Sequence, residues 1–445
     1  MKKTKLYLVS LGCAKNRVDS EIMLGKLVNS GWSITQYPEE AEIIIINTCS
    51  FIESAVNESI DTIIELAQHK TKSLCRKLIV AGCLPERYRE KIISALPEVD
   101  IFLGTGAFDK ILQVVGNELS GRKCILPDPD LIVIKDKTFP RVLSTHHMAY
   151  LKIAEGCSRH CTYCIIPKLR GKLKSRPLKH IVSEASSLIA SGVKELILVA
   201  QDTTSYGIDL QEEVLIDRLL KNLAGISDNI WIRMLYANPE SVNQSIVKTV
   251  ASHNNICSYY DIPVQHASDA VLKKMGRHYA CDDLYNLFQT IKQTDPYAVL
   301  RTTAMVGFPG ETDADFELLL QFIKEIRFSH IGVFLYSDAE DILSHTLDNH
   351  VPKEKAQERY DRLMACQQEI SFGINTQHKG KTYKVIVEEV SGENTYKGRT
   401  YFQAPEVDGI TYIHSINPSH DLNTGQFVEV MITKALEYDL IGDVV

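Results

Sequence analysis

The chain has 445 residues, 44% of them hydrophobic and 24% charged, and a formal charge of −7. That length holds about three ordinary domains, and the composition is that of an ordinary soluble protein. No apolar run approaches the ~18 residues of a membrane span, and the net negative charge excludes gripping nucleic acid through a general basic field, leaving only a local patch for that purpose.

The opening segment imitates a lipoprotein signal: Lys2 and Lys3 precede Leu6–Leu11, and Gly12-Cys13 follows. Its apolar stretch is only about seven residues, the bottom of the range for a signal, and Lys5–Leu11 reads as a first buried strand instead. Eleven cysteines in a large chain without a secretory signal point to a reducing, cytoplasmic setting, where grouped thiols serve metals or redox chemistry.

Up to about residue 125, β-rich runs at Lys5–Ser10, Glu42–Ile46, Lys77–Ala81 and Asp100–Leu103 alternate with helical stretches, which predicts an α/β domain on a parallel sheet over residues 1–125. The charged, proline-containing segments Pro127–Asp130 and Lys135–Pro140 read as a linker. A second domain is expected over 140–372, with six strands at Ala149–Ala154, Glu195–Ala200, Ile230–Leu235, Tyr259–Val264, Val299–Val306 and His330–Leu335. Six βα units make an open, partial (βα)6 barrel rather than a closed eight-fold one. A helix from Pro352 to about Ile370, with Ala356, Tyr360, Leu363 and Met364 on one face, closes it. Over 376–445 the texture changes to short strands such as Thr382–Val387 and Phe427–Ile432, with turns at Gly392, Gly398, Gly409 and Gly425, the pattern of a small antiparallel β-barrel.

Directly after the first strand of the second domain stand Cys157, Cys161 and Cys164, spaced Cys-x3-Cys-x2-Cys with no fourth cysteine nearby. Three thiolates on one loop can hold three irons of a 4Fe-4S cube and leave the fourth open to another ligand. The competing reading, a structural zinc, needs four closed ligands, and only His160, inside the loop, is adjacent. With the aromatic Tyr163, this loop resembles the cluster motif of the radical S-adenosylmethionine (SAM) superfamily. The resemblance implies that SAM chelates the open iron and is cleaved to a 5′-deoxyadenosyl radical. Ligands of such barrels sit at the strand C-terminal ends, where polar or glycine-rich loops occur at Gln201–Gly207, Arg233 to Tyr236, Gln265-His266 and Gly307–Glu311. Carried over by resemblance, Gln201 contacts the SAM amino group, Arg233 its carboxylate and Gly307 its adenosine side, although relatives often have glutamate where Gln201 stands. The basic run from Lys168 to Lys179, six residues without an acid, is either a solvated face or a contact for SAM or substrate.

A second set is dispersed. Cys13, Cys49 and Cys83 each follow the C-terminal end of a different predicted parallel strand, and such ends lie along one edge, so the three thiols can converge. The plain alternative is three inert buried cysteines, but the same placement three times argues against it. Cys75, Cys124, Cys257, Cys281 and Cys366 share no pattern. Gly104-Thr-Gly106 lacks the remaining residues of a nucleotide-binding loop.

The two cysteine sets, Gly307–Thr312 and the domain order together resemble the methylthiotransferases, over almost the full chain. That family implies a second 4Fe-4S cluster on Cys13, Cys49 and Cys83, a C-terminal TRAM barrel, and two SAM molecules, one methylating a sulfur on the auxiliary cluster and one making the radical. A reductant such as flavodoxin is implied. Residues 376–445 carry six Lys or Arg against ten Asp or Glu, which suits a basic protein partner rather than tRNA. Gly398-Arg-Thr, Ala404–Gly409, Leu11–Asn16 with Val18–Glu21, and Asn47–Glu53 resemble the branch that methylthiolates the β-carbon of an aspartate in protein 12 of the small ribosomal subunit. Glu406 and Asp408 are expected to steer that basic protein. The alternatives are a methylthiotransferase acting on a modified adenosine of tRNA and, from another class, a non-catalytic iron-sulfur or RNA-binding protein.

Overall fold

The computed structural model describes residues 4–116, 123–131, 140–211, 215–415 and 422–445. Most of the expected linker segment Lys135–Pro140, and Asp421 of the acidic count, lie outside the described residues. Among the described residues no helix is long and apolar enough to cross a membrane.

The N-terminal sheet contains β1 (Lys5–Ser10), β2 (Ser33–Ile34), β3 (Ile43–Thr48), β4 (Lys77–Gly82), β5 (Ile101–Leu103) and β6 (Cys124–Ile125), in the order β2-β1-β3-β4-β5-β6. Every pairing is parallel. Strand β3, four consecutive isoleucines followed by Asn47 and Thr48, is buried along its whole length. Helices cover both faces of a parallel sheet, and an uninterrupted β-branched run is what such a strand requires. The order places β1, β3 and β4 side by side, so the residues that follow them share one edge.

The second domain arranges β7 (Met148–Lys152), β10 (Glu195–Val199), β11 (Trp231–Met234), β12 (Tyr259–Asp261), β13 (Val299–Val306) and β14 (His330–Leu335) as six parallel strands. Strands β8 (Ala154–Glu155) and β9 (Lys174–Ser175) form a small antiparallel pair around the cysteine loop. The six strands fall into two three-stranded sheets, β7-β10-β11 and β12-β13-β14, joined by a single parallel bridge between Ile232 and Ile256. The barrel is therefore open. Leu196, Leu198, Ile232 and Met234 pack outward against helices Leu178–Ala190 and Ile216–Ala224. The alternate residues Tyr150, Ile197, Val199 and Tyr259 face inward, where a closed barrel would continue around.

The last module supplies the missing cover. Helix Lys353–Thr376, preceded by Pro352, leads to β15 (Thr382–Gly392), β16 (Thr395–Thr400), β17 (Thr411–His414), β18 (Phe427–Ala435) and β19 (Leu440–Val444). They close into a barrel in the order β15-β16-β17-β19-β18, antiparallel except for β17 with β19. Its core residues Val385, Ile386, Phe402 and Val430 belong to the same buried cluster as Tyr150, Ile197, Val199 and Tyr259. The small barrel thus sits on the inner face of the open one.

Charge fixes that contact. Glu195, fully buried, accepts from Arg233 Nε at 2.7 Å and from Arg399 Nη2 of the small barrel at 2.5 Å. Arg399 also pairs with Glu388 at 2.7 Å, and Arg233 donates to the Tyr401 carbonyl. Glu406 and Asp408 join the same interface. Asp408, 1% exposed, lies 3.4 Å from Arg301 and accepts from Tyr259 at 2.5 Å, while Glu406 pairs with Arg17 at 2.5 Å and accepts from Tyr150. The two acids expected to steer a basic protein are therefore already engaged: like Glu388, Glu406 and Asp408 hold cations of neighbouring elements.

Removing one partner of a buried ion pair strands the other, so Glu195→Ala is expected to destabilise the fold by roughly 3–5 kcal/mol, measured by denaturant unfolding. Asp408→Lys is expected to lower the melting temperature to a similar degree at low and high salt, because its partners are shielded from solvent ions. Burial pulls the Glu388 carboxyl up, but hydrogen bonding from His147 and the Arg399 charge outweigh it and bring it from its ordinary 4.5 down to about 2. Its contribution to stability is therefore complete above about pH 4.5 and is lost as pH falls toward 2. Glu388→Gln is expected to flatten that part of an acid-unfolding curve.

Candidate active site

The first three thiols converge as the sheet order requires. Cys13 caps the N-terminus of helix Ala14–Asn29 after β1, Cys49 follows β3, and Cys83 begins helix Cys83–Tyr88 after β4. Gly12 and Gly82, directly before two of them, have φ of +83° and +97°. A Cβ on Gly12 would lie 2.6 Å from Cys49 Cβ and 2.9 Å from its Sγ, and one on Gly82 would lie 2.4 Å from Asn47 Oδ1. Glycine both makes the turn and leaves room for the neighbouring thiol. Asn16 ties the edge together, donating to the carbonyls of Leu11 and Thr48 at 3.1 and 2.8 Å.

The second triad lies on the loop between β8 and β9. Cys157 N donates to the Gly171 carbonyl at 2.9 Å and Cys164 N to the Cys161 carbonyl at 3.1 Å. Thr162 is bonded through its backbone N–H to the Met275 carbonyl and through its hydroxyl to the Lys274 carbonyl, which pins the loop to the barrel wall. Tyr163 packs edge-on against Phe308 with ring centroids 6.3 Å apart and accepts from Arg277 at 2.5 Å. A cavity of about 350 Å³ opens beside Cys157, lined among others by Arg159, Asp202, Thr204, Ser205 and Ser241.

Between the triads lies a buried network of charge that sequence reasoning did not find. Arg170 donates to Asp19 at 3.2 Å and Glu155 at 3.0 Å, to Asn16 Oδ1, and reaches Cys83 Sγ at 3.6 Å. Lys152 binds Asp19 and, at 2.7 Å, Glu155. Gln201 donates to Glu155 at 2.7 Å, and its own Oε1 is buried without a partner. The residues come from helix Ala14–Asn29, β7, β8 and helix Ile166–Arg170, so the network spans both domains. Arg141, bound to Glu21 at 2.5 Å and Glu184 at 2.7 Å, adds a second joint.

This electrostatic field divides the thiols. Burial pushes Cys13 up, but Lys15 and Arg170 outweigh it and leave the thiol below its ordinary range. Burial dominates at Cys83, which rises to about 12 despite Arg170, and likewise at Cys164, also about 12. Burial raises Cys49 and Cys157 as well. Deprotonating such thiols requires a strong Lewis acid alongside. Among the described residues no three His, Cys, Asp or Glu side chains are gathered tightly enough to hold a single metal ion. Thiolates are the donors that iron-sulfur clusters use.

The other predicted site residues divide. Gln201 stands in the network. Arg233 does not reach this rim: its position in the middle of β11 turns it onto the inner face, where Glu195 and Tyr401 hold it. The missing side chain at Gly307 is accounted for by helix Lys353–Thr376, since a Cβ there would lie 2.6 Å from Ala356 Cβ. The basic run is largely committed, with Arg170 in the network, Arg176 bound to Glu184 at 2.5 Å, and Lys174 to the Pro129 carbonyl at 2.7 Å. Its alternation with apolar residues gave no sign of this, because the acids that pair with Arg170 lie in distant segments.

Three family models match successive stretches of the chain. Residues 5–104 match the uncharacterized protein family UPF0004, 151–323 the radical SAM superfamily and 380–445 the TRAM domain. The ribosomal protein uS12 methylthiotransferase RimO of Desulfosudis oleivorans is 48% identical over 99% of both chains. That of Clostridioides difficile is 47% identical over 99% of this chain and 98% of its own. The chain belongs to the RimO family of radical SAM methylthiotransferases. Membership in the radical SAM superfamily carries with it the use of SAM and a 4Fe-4S cluster. Among solved structures, the radical SAM methyltransferase TsrM from Kitasatospora setae, with cobalamin and a [4Fe-4S] cluster bound, aligns with a TM-score of 0.56 at 12% identity, covering 88% of this chain and 82% of that one. That likeness concerns the fold alone.

Arg170→Met is expected to leave Asp19 and Glu155 short of a cation and to destabilise the protein by roughly 3–5 kcal/mol. Faster limited proteolysis between residues 104 and 148 would accompany it as the two domains part.

Proposed function

We propose that this member of the family carries two 4Fe-4S clusters, one on Cys157, Cys161 and Cys164 and one on Cys13, Cys49 and Cys83, and adds a methylthio group to the β-carbon of an aspartate in ribosomal protein uS12. The observation that carries this reading is the placement of two separate thiol triads, one from each domain, beside one buried network of charge, in which Arg170 reaches Cys83 Sγ and binds Glu155, two residues before Cys157. The near full-length relatives named for uS12 methylthiotransfer support the choice of substrate. Flavodoxin or a similar reductant would deliver the electron.

When bound, the clusters and SAM supply the electron, the methyl group and the hydrogen-abstracting radical. The chain's own residues do the rest. Gln201, with its amide N–H held by Glu155 and its carbonyl oxygen open, is set to accept from the SAM amino group. Tyr163 backs the Cys161–Cys164 end of the loop. Arg170 holds Cys83 in place and offsets negative charge on the Cys13 set, as hydrogen bonds and nearby cations do at metal thiolates. The small barrel covers the inner face and keeps water from the radical.

Anaerobic reconstitution with iron and sulfide tests the assignment. Cys157→Ala is expected to abolish 5′-deoxyadenosine formation from SAM. Cys13→Ala is expected to retain that cleavage while losing methylthio transfer to a uS12 peptide, each variant keeping about half of the wild-type iron, as one of two equal clusters requires. Loss of SAM cleavage in Cys13→Ala with its other cluster intact would refute the division of labour, and methylthioadenosine in tRNA with uS12 unmodified would refute the substrate.

A further inference from the structure

The buried carboxylates between the two cysteine sets are matched. Asp19 and Glu155 are each bound by Lys152 and Arg170. Glu155 uses both oxygens, since Oε1 also accepts from Gln201. Lys15, beside Cys13, has no carboxylate of its own. It stands two residues after Cys13, is half-buried, and makes no hydrogen bond or ion pair with any described residue. Its ammonium lies 3.7 Å above the centre of the Tyr236 ring. A cation–π contact fixes where a cation sits without neutralising it. Tyr236 is itself held in an unusual way: its φ is +63°, a left-handed conformation costly for an aromatic residue, and its N–H is tied to Asp261 Oδ2 at 2.8 Å. The fold thus stores backbone strain to aim one ring under one lysine at the mouth of the Cys13 set.

A half-buried cation with no carboxylate bonded to it can receive an anion. The ligand chemistry is a carboxylate. Resting on the reading above, we propose that Lys15 binds the carboxylate of the substrate's target aspartate, and so selects an acidic side chain over a neutral base. In aspartate the carboxylate is attached directly to the β-carbon. A carboxylate seated on Lys15 therefore places the carbon that receives the methylthio group within a bond length of it, near Cys13, two residues before Lys15. A purine of tRNA presents no negative charge on its base. Lys15 and the open Gln201 oxygen lie on opposite components, one from the N-terminal domain and one from the barrel. SAM and substrate can then be held by different groups.

The test uses the full-length enzyme reconstituted anaerobically, with two fluorescent peptides spanning the uS12 target loop, one carrying the target aspartate and one with asparagine in its place. Anisotropy titration gives the affinity of each, and equilibrium dialysis gives that of SAM. The wild type is expected to prefer the aspartate peptide by about tenfold or more, the worth of one charge-assisted hydrogen bond. Lys15→Met, at unchanged iron and sulfide content, is expected to bring that ratio close to one, and Lys15→Arg to keep most of it. A wild-type ratio near one overturns the inference whatever the variants do. So does a Lys15→Met enzyme that keeps the preference, or one that loses only SAM affinity, which would place SAM's own carboxylate at Lys15. A wild type that binds neither peptide and modifies tRNA removes the uS12 reading and the inference together, an outcome distinct from loss of the preference alone.

Discussion

The structure depends on one buried guanidinium. Arg170 touches Asp19 and Asn16 of the N-terminal domain, Glu155 beside the central cysteine loop, and the sulfur of Cys83. A fully buried arginine is tolerated only where its charge is matched and its donors are used, and here the matching groups come from segments more than a hundred residues apart. Satisfying Arg170 therefore forces the two domains into one register. Apolar contact crosses the same seam, with Val18 and Ile22 packed among Met148 and Tyr150 and Cys83 among Ile165 and Leu169, and Arg170 adds direction to that adhesion.

The same logic governs the third module. An open barrel leaves an inner face of Tyr150, Val199 and Tyr259 that water would reach, and the small barrel covers it with Phe402 and Ala404. Burial alone is non-directional, so it cannot set the angle of one barrel on another. Glu195 between Arg233 and Arg399, and Asp408 near Arg301 and Tyr259, set that angle. Apolar area supplies adhesion and the ion pairs supply orientation.

Strand positions were legible from the sequence because each strand is a short β-branched run between polar turns: the six inferred barrel strands overlap β7, β10, β11, β12, β13 and β14. The edge that gathers Cys13, Cys49 and Cys83 was legible too, since it follows from parallel strands alone. Two kinds of information were not. The face on which Arg233 lies depends on its parity within a four-residue strand, and the partner it finds there comes from a different module. The charges of Glu406 and Asp408 were counted as free because a sequence does not say which acids meet a cation from elsewhere. Arg170 was hidden for the same reason, as one basic residue among six. The glycines before Cys13 and Cys83 were a signal that could have been used, as a left-handed turn ahead of each thiol is written in the dipeptide.

The polar seam between the N-terminal domain and the barrel has an evolutionary corollary. Two domains joined by an oily surface can be exchanged between relatives with modest repacking, because any apolar side chain of suitable volume serves. A seam built from Asp19, Glu21, Arg141, Lys152 and Arg170 has no such tolerance, since a transplanted half would meet like charge or none. A chimaera that joins two parents between residues 21 and 141 therefore has to keep these five charges complementary, whatever its apolar contacts allow.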